Sequence, residues 1–544
     1  MDLGDNITKH VKPLSLTAIA AAATAASILG YRYCHSSKKT TAGEYIKIPL
    51  AKGWVPYFGH LWTYVFSGAI VGMEMARRNV DMGPILRFDM GPRSWVVVSD
   101  PDMVHELLNV HGVSTSCRPH YSYGTRMQSQ THGLTFTDLG SRWKKVRAAC
   151  KCNMGSTIFS TAVLTIASLV VQCLSPKSES IHLDDIISKE ADCLVDRLLS
   201  TKEAVSVFKE IQWSALNVNL LVGFGCRTDH PEDPFCEELI DLINTSVEKA
   251  DPIIDRQEFL PFIMRIFDWW HQTSKTFAWY STKVRDPIMQ KLIRHGLKSD
   301  MDCMAKKMHA IKDGKDVDDE TVLNTCFDLV VAGTDPTAIA LAWAMVLLCN
   351  HPEDQKRLQA EIDAFTSVHK RIPTFDEHEH LPLMMSTLKE CTRIRTLVPL
   401  GLSRRTVSDV VCRGYLIPKD TVICANLFAI HHDPERYPDP HRFVADRFLD
   451  KPRTMATLSK ARTNERDQFG FGWGRRVCPA IHVAESEMFN ILVRLLAQAT
   501  IEPMQDNNNK PIYPDMNALN YVGVVIIPGE DKMRFVKRKN PLNL

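Results

Sequence analysis

The stretch FGFGWGRRVCPAIHVAE, residues 469–485, decides the reading of this chain. Gly470, Gly472 and Gly474 make a loop that can pass close to a flat object, because glycine has no Cβ and tolerates dihedrals closed to other residues. Cys478 follows, then Pro479, a residue at home in the first turn of a helix. Ile481, Val483, Ala484 and Met488 continue the apolar pattern at helical spacing. A cysteine at a helix amino terminus sits in the field of unpaired amides, which favours its thiolate. A single cysteine is more often a buried free thiol; the flanking pattern sets Cys478 apart.

The rest of the chain bounds what that loop can belong to. Of 544 residues, 45% are hydrophobic, 24% charged and 8% aromatic, an ordinary globular mixture that excludes a collagen-like or wholly disordered chain. Lys plus Arg is 65 against 63 Asp plus Glu, so the net charge of +2 announces no nucleic-acid partner. The 15 cysteines include Cys326 and Cys349 inside apolar helical stretches, which suits a reduced compartment better than a disulfide framework. Cys150-x-Cys152 lacks zinc-ligand spacing and reads as structural.

Residues 14–31, LSLTAIAAAATAASILGY, carry no charge. A spanning helix needs roughly 20 apolar residues, so this segment is just long enough. Arg32, Lys38 and Lys39 behind it, against Lys9 and Lys12 ahead, favour a cytosolic carboxy-terminal side. A cleaved signal peptide and an ordinary buried helix are the competing readings. The following segment, IPLAKGWVPYFGH (48–60), is punctuated by Pro49, Gly53, Pro56 and Gly59 and suits an entry from membrane to globular body. The expected organisation is a membrane anchor over 1–35, a Pro/Gly hinge over 36–60 and one large domain over 61–544.

Helical periodicity dominates that domain: 71–79, 138–150, 181–199, 235–249, 261–294, 319–350 and 352–365. Strand candidates are ILRFDM (85–90), SWVVVSD (94–100), TVICANL (421–427) and YVGVVII (521–527), the first two joined by a turn at Gly91-Pro92-Arg93. The expected fold class is mainly α with a small peripheral β-sheet component.

Phe471-x-x-Gly474-x-Arg476-x-Cys478 resembles the haem-binding loop of the cytochrome P-450 family, a highly specific motif. One departure is Ala480, where the family usually has Gly. The resemblance implies a single catalytic domain of that fold, with haem b held by the Cys478 thiolate; such ligation pushes electron density onto iron and favours O–O cleavage.

Three further motifs occur in family order. Glu390-x-x-Arg393 places two side chains on one helix face, where they can pair; alone, this is a common surface ion pair. By resemblance it meets Arg447 in FVADRF, where Ala445 and Asp446 replace the family's Pro and Glu, and the trio locks the core behind the cysteine loop. Trp143-x-x-x-Arg147 stands at i, i+4, which suits an indole N–H and a guanidinium reaching one haem propionate, with Arg405 and Arg476 as further propionate partners. Arg142, Lys144 and Lys145 offer either a basic face to an acidic electron donor or a solvated helix face.

The fourth motif is Ala332-Gly333-Thr334-Asp335-Pro336-Thr337, similar to the family's oxygen-activation segment, with Ala332 and Gly333 on the haem side. Pro336 stands where the family has a proton-delivering threonine. A proline inside a helix costs about 3 kcal/mol, and such a local violation points to a functional site. Proline lacks an N–H, so the Ala332 carbonyl loses its donor. The expected relay is Asp335 through water, with Thr337, Thr334 or the substrate itself supplying the hydroxyl, the alternative being a mere kink at Pro336.

The resemblance, closest to the fungal microsomal type, implies insertion of one oxygen atom from O2 into a lipophilic substrate. Electrons come from NADPH through a separate NADPH–cytochrome reductase, with cytochrome b5 as a second donor, at the endoplasmic reticulum membrane. The pocket walls that the resemblance implies, 121–136, 329–337, 396–402 and 520–524, are mainly apolar and suit a steroid, terpenoid or fatty acid; steroid hydroxylation comes first because the loop GFGWGRRVCPAIHVAE looks like hydroxylases of filamentous fungi that act on steroid-like compounds. An oxygen-independent haem-thiolate isomerase or dehydratase, and a non-enzymatic haem-binding protein, are the alternatives.

Overall fold

The computed structural model describes residues 45–538, apart from 57, 62–74, 78–81, 92, 121–131, 144–182, 202, 251–258, 260–272, 311 and 313–316. The expected anchor, Arg147, Lys144, Lys145, Cys150 and Cys152 lie outside the described residues.

The helical body holds α1 (Leu183–Ser200), α2 (Val207–Phe224), α3 (Pro234–Lys249), α4 (Asp319–Asn350), α5 (Pro352–His369), α6 (Pro382–Ile394) and α7 (Ile481–Gln498). Helix α4 starts where Asp318 accepts the Thr321 N–H at 2.8 Å, with Asp319 and Glu320 in its first turn complementing the helix dipole. It is apolar around nearly its whole circumference, and such a helix belongs inside. Among the described residues it is the one helix long and apolar enough to cross a membrane, yet most of it is buried in the protein core. Trp343 fixes its far half by donating to the Ile526 carbonyl at 3.1 Å.

Helices α2 and α4 approach closely because both carry glycine at the contact. A Cβ at Gly333 would lie 2.1 Å from Asn219 Oδ1, and one at Gly223 would lie 3.2 Å from Leu329 Cδ2. Asn219 is held in place by its own bond to the Ala215 carbonyl, 2.7 Å away. Gly333→Ala therefore trades a gain in helix propensity against overpacking, and overpacking dominates. We expect a net loss of about 1–2 kcal/mol in chemical denaturation; unchanged stability would show that the two helices separate at no cost.

At the edge, β1 (Ile85–Met90) and β2 (Arg93–Val98) form an antiparallel hairpin, with Arg93 already paired to Met90. The turn is thus shorter than the expected three residues. Strand β3 (Arg404–Arg405) lies antiparallel to β4 (Val422–Ala425), which runs parallel to β2, giving the order β1-β2-β4-β3. A second sheet includes β5 (Ala499–Gln505) against its antiparallel partner Lys532–Lys537.

The stretch 521–527 corrects the expectation of one strand. It is a hairpin, β6 (Leu519–Val522) and β7 (Val525–Pro528), turning at Gly523 and Val524. Gly523 has φ +59°, and a Cβ there would lie 1.8 Å from the Val247 carbonyl oxygen, so the turn is pressed against α3. Apolar residues on both sides hid this single punctuation mark.

Candidate functional site

The cysteine loop is built backwards from α7. Ala480 is the residue before the helix, so Cys478 stands just outside the helix and Pro479 precedes its first turn, a correction to the expected placement. Gly472 and Gly474 adopt φ +80° and +58°, and a short 3-10 turn spans Gly474–Arg476. The Cys478 N–H donates to the Phe471 carbonyl at 2.9 Å, which folds the loop back on itself and leaves the thiol half-buried. Gly474 serves close approach: a Cβ would meet the Leu108 carbonyl oxygen at 2.3 Å.

Guanidinium groups gather beside this loop. Arg476 donates to the carbonyls of Ser116 (3.0 Å), Leu134 (2.9 Å) and Thr137, and stacks 4.3 Å above the Trp143 ring. The Trp143 indole N–H donates to the Leu134 carbonyl at 3.3 Å. Arg405 is not directed here. Its guanidinium pairs with Asp138 (2.9 Å) and Asp420 (2.8 Å) and donates to the Arg118 carbonyl at 3.1 Å. Side chains alternate across a strand, so the neighbour points the other way. Arg404 is buried and donates to the Trp473 carbonyl inside the cysteine loop at 2.6 Å.

Sequence reasoning missed Arg404, and it missed Arg118. Buried Arg118 donates to the carbonyls of Thr135 (2.8 Å), Leu402 (2.9 Å) and Ser403 (2.7 Å), joining the segments on either side of Arg404 and Arg476. It missed Asp328 as well. That buried carboxylate on α4 accepts the N–H groups of Leu134 (2.6 Å) and Thr135 (2.9 Å), tying the distal helix to the segment that Arg476 and Arg118 hold. Burial pushes the Asp328 carboxyl up to about 6. The only signal was a lone acid in an apolar helical run, which is weak.

The structure brings Glu390, Arg393 and Arg447 together. Arg393 grips Glu390 with two bonds, 2.7 and 2.8 Å, and Arg447 adds a third at 3.0 Å. Both residues of the first pair are fully buried. The Val444 N–H also donates to Glu390 at 3.1 Å, while Arg393 donates to the carbonyls of His431 and Pro440. A buried ion pair this well bonded is a structural lock.

On α4 the helix continues unbroken through Pro336. Ala332 and Pro336 are exposed, and Leu329 and Gly333 are half-buried, in the middle of an otherwise buried helix. Residues at these spacings share a face, so that strip borders open space. Gly333 has a second duty, the contact with Asn219 already described. Thr334 is turned away. Its fully buried hydroxyl donates to the Val330 carbonyl at 2.7 Å, so its proton is committed to the helix. Asp335 accepts from Gln212 at 2.7 Å, and burial raises its carboxyl to about 6. Thr337 is buried beside them.

Half-buried apolar residues from three of the expected walls, Leu329, Leu397, Val398 and Val524, pack on the same core as Phe471, Val477 and Cys478. The Ile526 N–H donates to the Leu397 carbonyl at 2.9 Å, linking two of those walls. The donor set suits a haem: a half-buried thiol for iron, guanidiniums for two carboxylates, and apolar walls for the ring.

Comparison with known proteins agrees. A family model described as cytochrome P-450 matches residues 49–535. A cytochrome P-450 monooxygenase of Armillaria gallica is 24% identical over 90% of this chain and 91% of its own. Tryptamine 4-monooxygenase of Psilocybe cyanescens is 28% identical, covering 84% and 85% of the two chains. Steroid 17-alpha-hydroxylase/17,20 lyase of Rattus norvegicus is 27% identical, covering 88% and 90%. With the cysteine loop, the buried Glu390–Arg393–Arg447 lock and a family match over most of its length, the chain belongs to the cytochrome P-450 family.

Proposed function

We propose that this haem-thiolate monooxygenase hydroxylates a steroid or terpenoid, drawing electrons from NADPH through a separate reductase, with cytochrome b5 as a second donor. The observation that carries the reading is the accessible strip Leu329–Ala332–Pro336 on a buried helix, in a core shared with the Cys478 loop. The apolar walls support a lipophilic substrate, and one relative is by name a steroid hydroxylase.

The bound haem supplies activation of O2, with electron density donated by the thiolate. Cys478 would hold the iron, and Arg118, Arg404, Arg476 and Arg147 would hold and orient the propionates; Trp143 would join them by exchanging its bond to the Leu134 carbonyl for one to a propionate. Phe471 and Ala332 would confine the ring, and the exposed Pro336 would line the substrate side. Asp335 is the proton store. Its carboxyl, raised to about 6 by burial, keeps a protonated fraction near neutrality, and that fraction grows as the pH falls. Thr337 supplies the hydroxyl that the family's threonine would have provided at Pro336.

Product formed per NADPH consumed tests the relay. Asp335→Asn and Thr337→Ala should divert electrons to peroxide while substrate binding survives. Thr334→Ala, whose hydroxyl is bonded back to the helix, should stay coupled. Full coupling in both of the first two variants would end the scheme.

Residues 1–35 tether the enzyme to the endoplasmic reticulum membrane, with the domain on the cytosolic side. Deleting residues 1–34 should shift much of the protein from the membrane to the soluble fraction with its haem spectrum intact. Loss of folding would make the segment part of the core.

Screening steroids, terpenoids and fatty acids for a substrate-induced shift of the haem band identifies the substrate. Turnover under labelled O2 then places one labelled atom in the product. Turnover without O2 or NADPH would favour an isomerase or dehydratase.

A further inference from the structure

We infer that His431 is a positioning residue: a neutral imidazole in one fixed tautomer that ties the Glu390–Arg393 helix to the first residue of the cysteine loop. The inference rests on the reading of Cys478 as the haem ligand. His431 is fully buried and engaged at both ring nitrogens. Nε2 accepts the Phe469 N–H at 2.8 Å. A ring nitrogen that accepts an amide N–H carries no proton, so the proton is on Nδ1. Nδ1–H then donates to the Thr396 hydroxyl at 2.7 Å, and that hydroxyl donates to the Arg393 carbonyl at 3.1 Å. Arg393 closes the ring by donating to the His431 carbonyl at 2.7 Å.

Protonation would put a second N–H against that of Phe469 and break the link. The surroundings prevent it. Burial, together with Arg393, His432, Arg466 and Arg436, holds the imidazole well below its usual range. The Phe469 ring is sandwiched as well, stacked 5.1 Å from Trp473 and beneath the Arg466 guanidinium at 4.6 Å.

From Phe469 the register passes straight to the thiol. The Phe469 carbonyl accepts from Gly472, and the Phe471 carbonyl accepts from Cys478, both at 2.9 Å. The Glu390–Arg393 pair therefore reaches the cysteine loop through His431, a residue outside either motif. A change at His431 moves the point where the loop begins.

The test uses the full-length, haem-loaded chain and the fraction of its ferrous carbon-monoxide complex in the red-shifted, thiolate-bound form. His431→Leu keeps comparable bulk and removes both bonds. His431→Gln offers a side-chain carbonyl to the Phe469 N–H. We expect His431→Leu to lose the red-shifted form several-fold with helical content intact, and His431→Gln to restore most of it. A His431→Leu protein with the parental fraction overturns the inference, as does equal loss in both variants. If His431→Leu does not accumulate, His431→Gln decides: retention of the band supports the link, and its loss overturns it. A parent without the red-shifted band would overturn the Cys478 assignment and this inference with it; a parent with the band and an unaffected His431→Leu overturns this inference alone.

Discussion

Cys478→Ala should reduce turnover to background with any electron donor. The thiol is half-buried in a loop whose shape is set by main-chain bonds and by two glycines at positive φ, so losing one small side chain leaves the loop and helix α7 standing. What would disappear is the proposed thiolate ligand, and with it the electron density that such ligation supplies. Circular dichroism should be close to the parent's, while product formation from any responsive substrate vanishes. Sustained hydroxylation by this variant would move the iron ligand elsewhere in the chain.

Glu390→Ala acts on stability first. Its carboxylate accepts four hydrogen bonds, from Arg393 twice, from Arg447 and from the Val444 amide. Removing it strands Arg393, a guanidinium with no exposed surface. Breaking a buried pair in this way costs about 3–5 kcal/mol, a large share of a domain's net stability. The expected outcome is a steep fall in haem content per polypeptide and in melting temperature, with Glu390→Gln intermediate because its amide still accepts two of the bonds. Parental haem content in Glu390→Ala would mean the lock is ornamental to the loop.

What was legible in the sequence was local. Helix α4 runs from Asp319 to Asn350, as its periodicity and acidic amino-terminal residues predict, and strand β1 spans 85–90 as read. The cysteine loop and the Glu390–Arg393 spacing were visible because their residue types are sequential neighbours. Features set by partners distant in the chain were not visible. Arg404 and Arg405 are adjacent and chemically identical, and only the pairing of β3 with β4 decides which faces inward. Thr334 and Thr337 differ by less than one helical turn, yet one hydroxyl is spent on the Val330 carbonyl. Asp328 gains its role from Leu134 and Thr135, nearly two hundred residues earlier. Gly333 also carries the contact with Asn219 of α2, which its place in the motif does not announce.

Binding of iron by the Cys478 thiolate is read from the absorption spectrum of the reduced, carbon-monoxide-bound full-length protein. A strongly red-shifted band is expected in the unmodified protein and none in Cys478→Ala. A band at the position of an ordinary histidine-ligated haem in the unmodified protein, or a red-shifted band that survives Cys478→Ala, would contradict it.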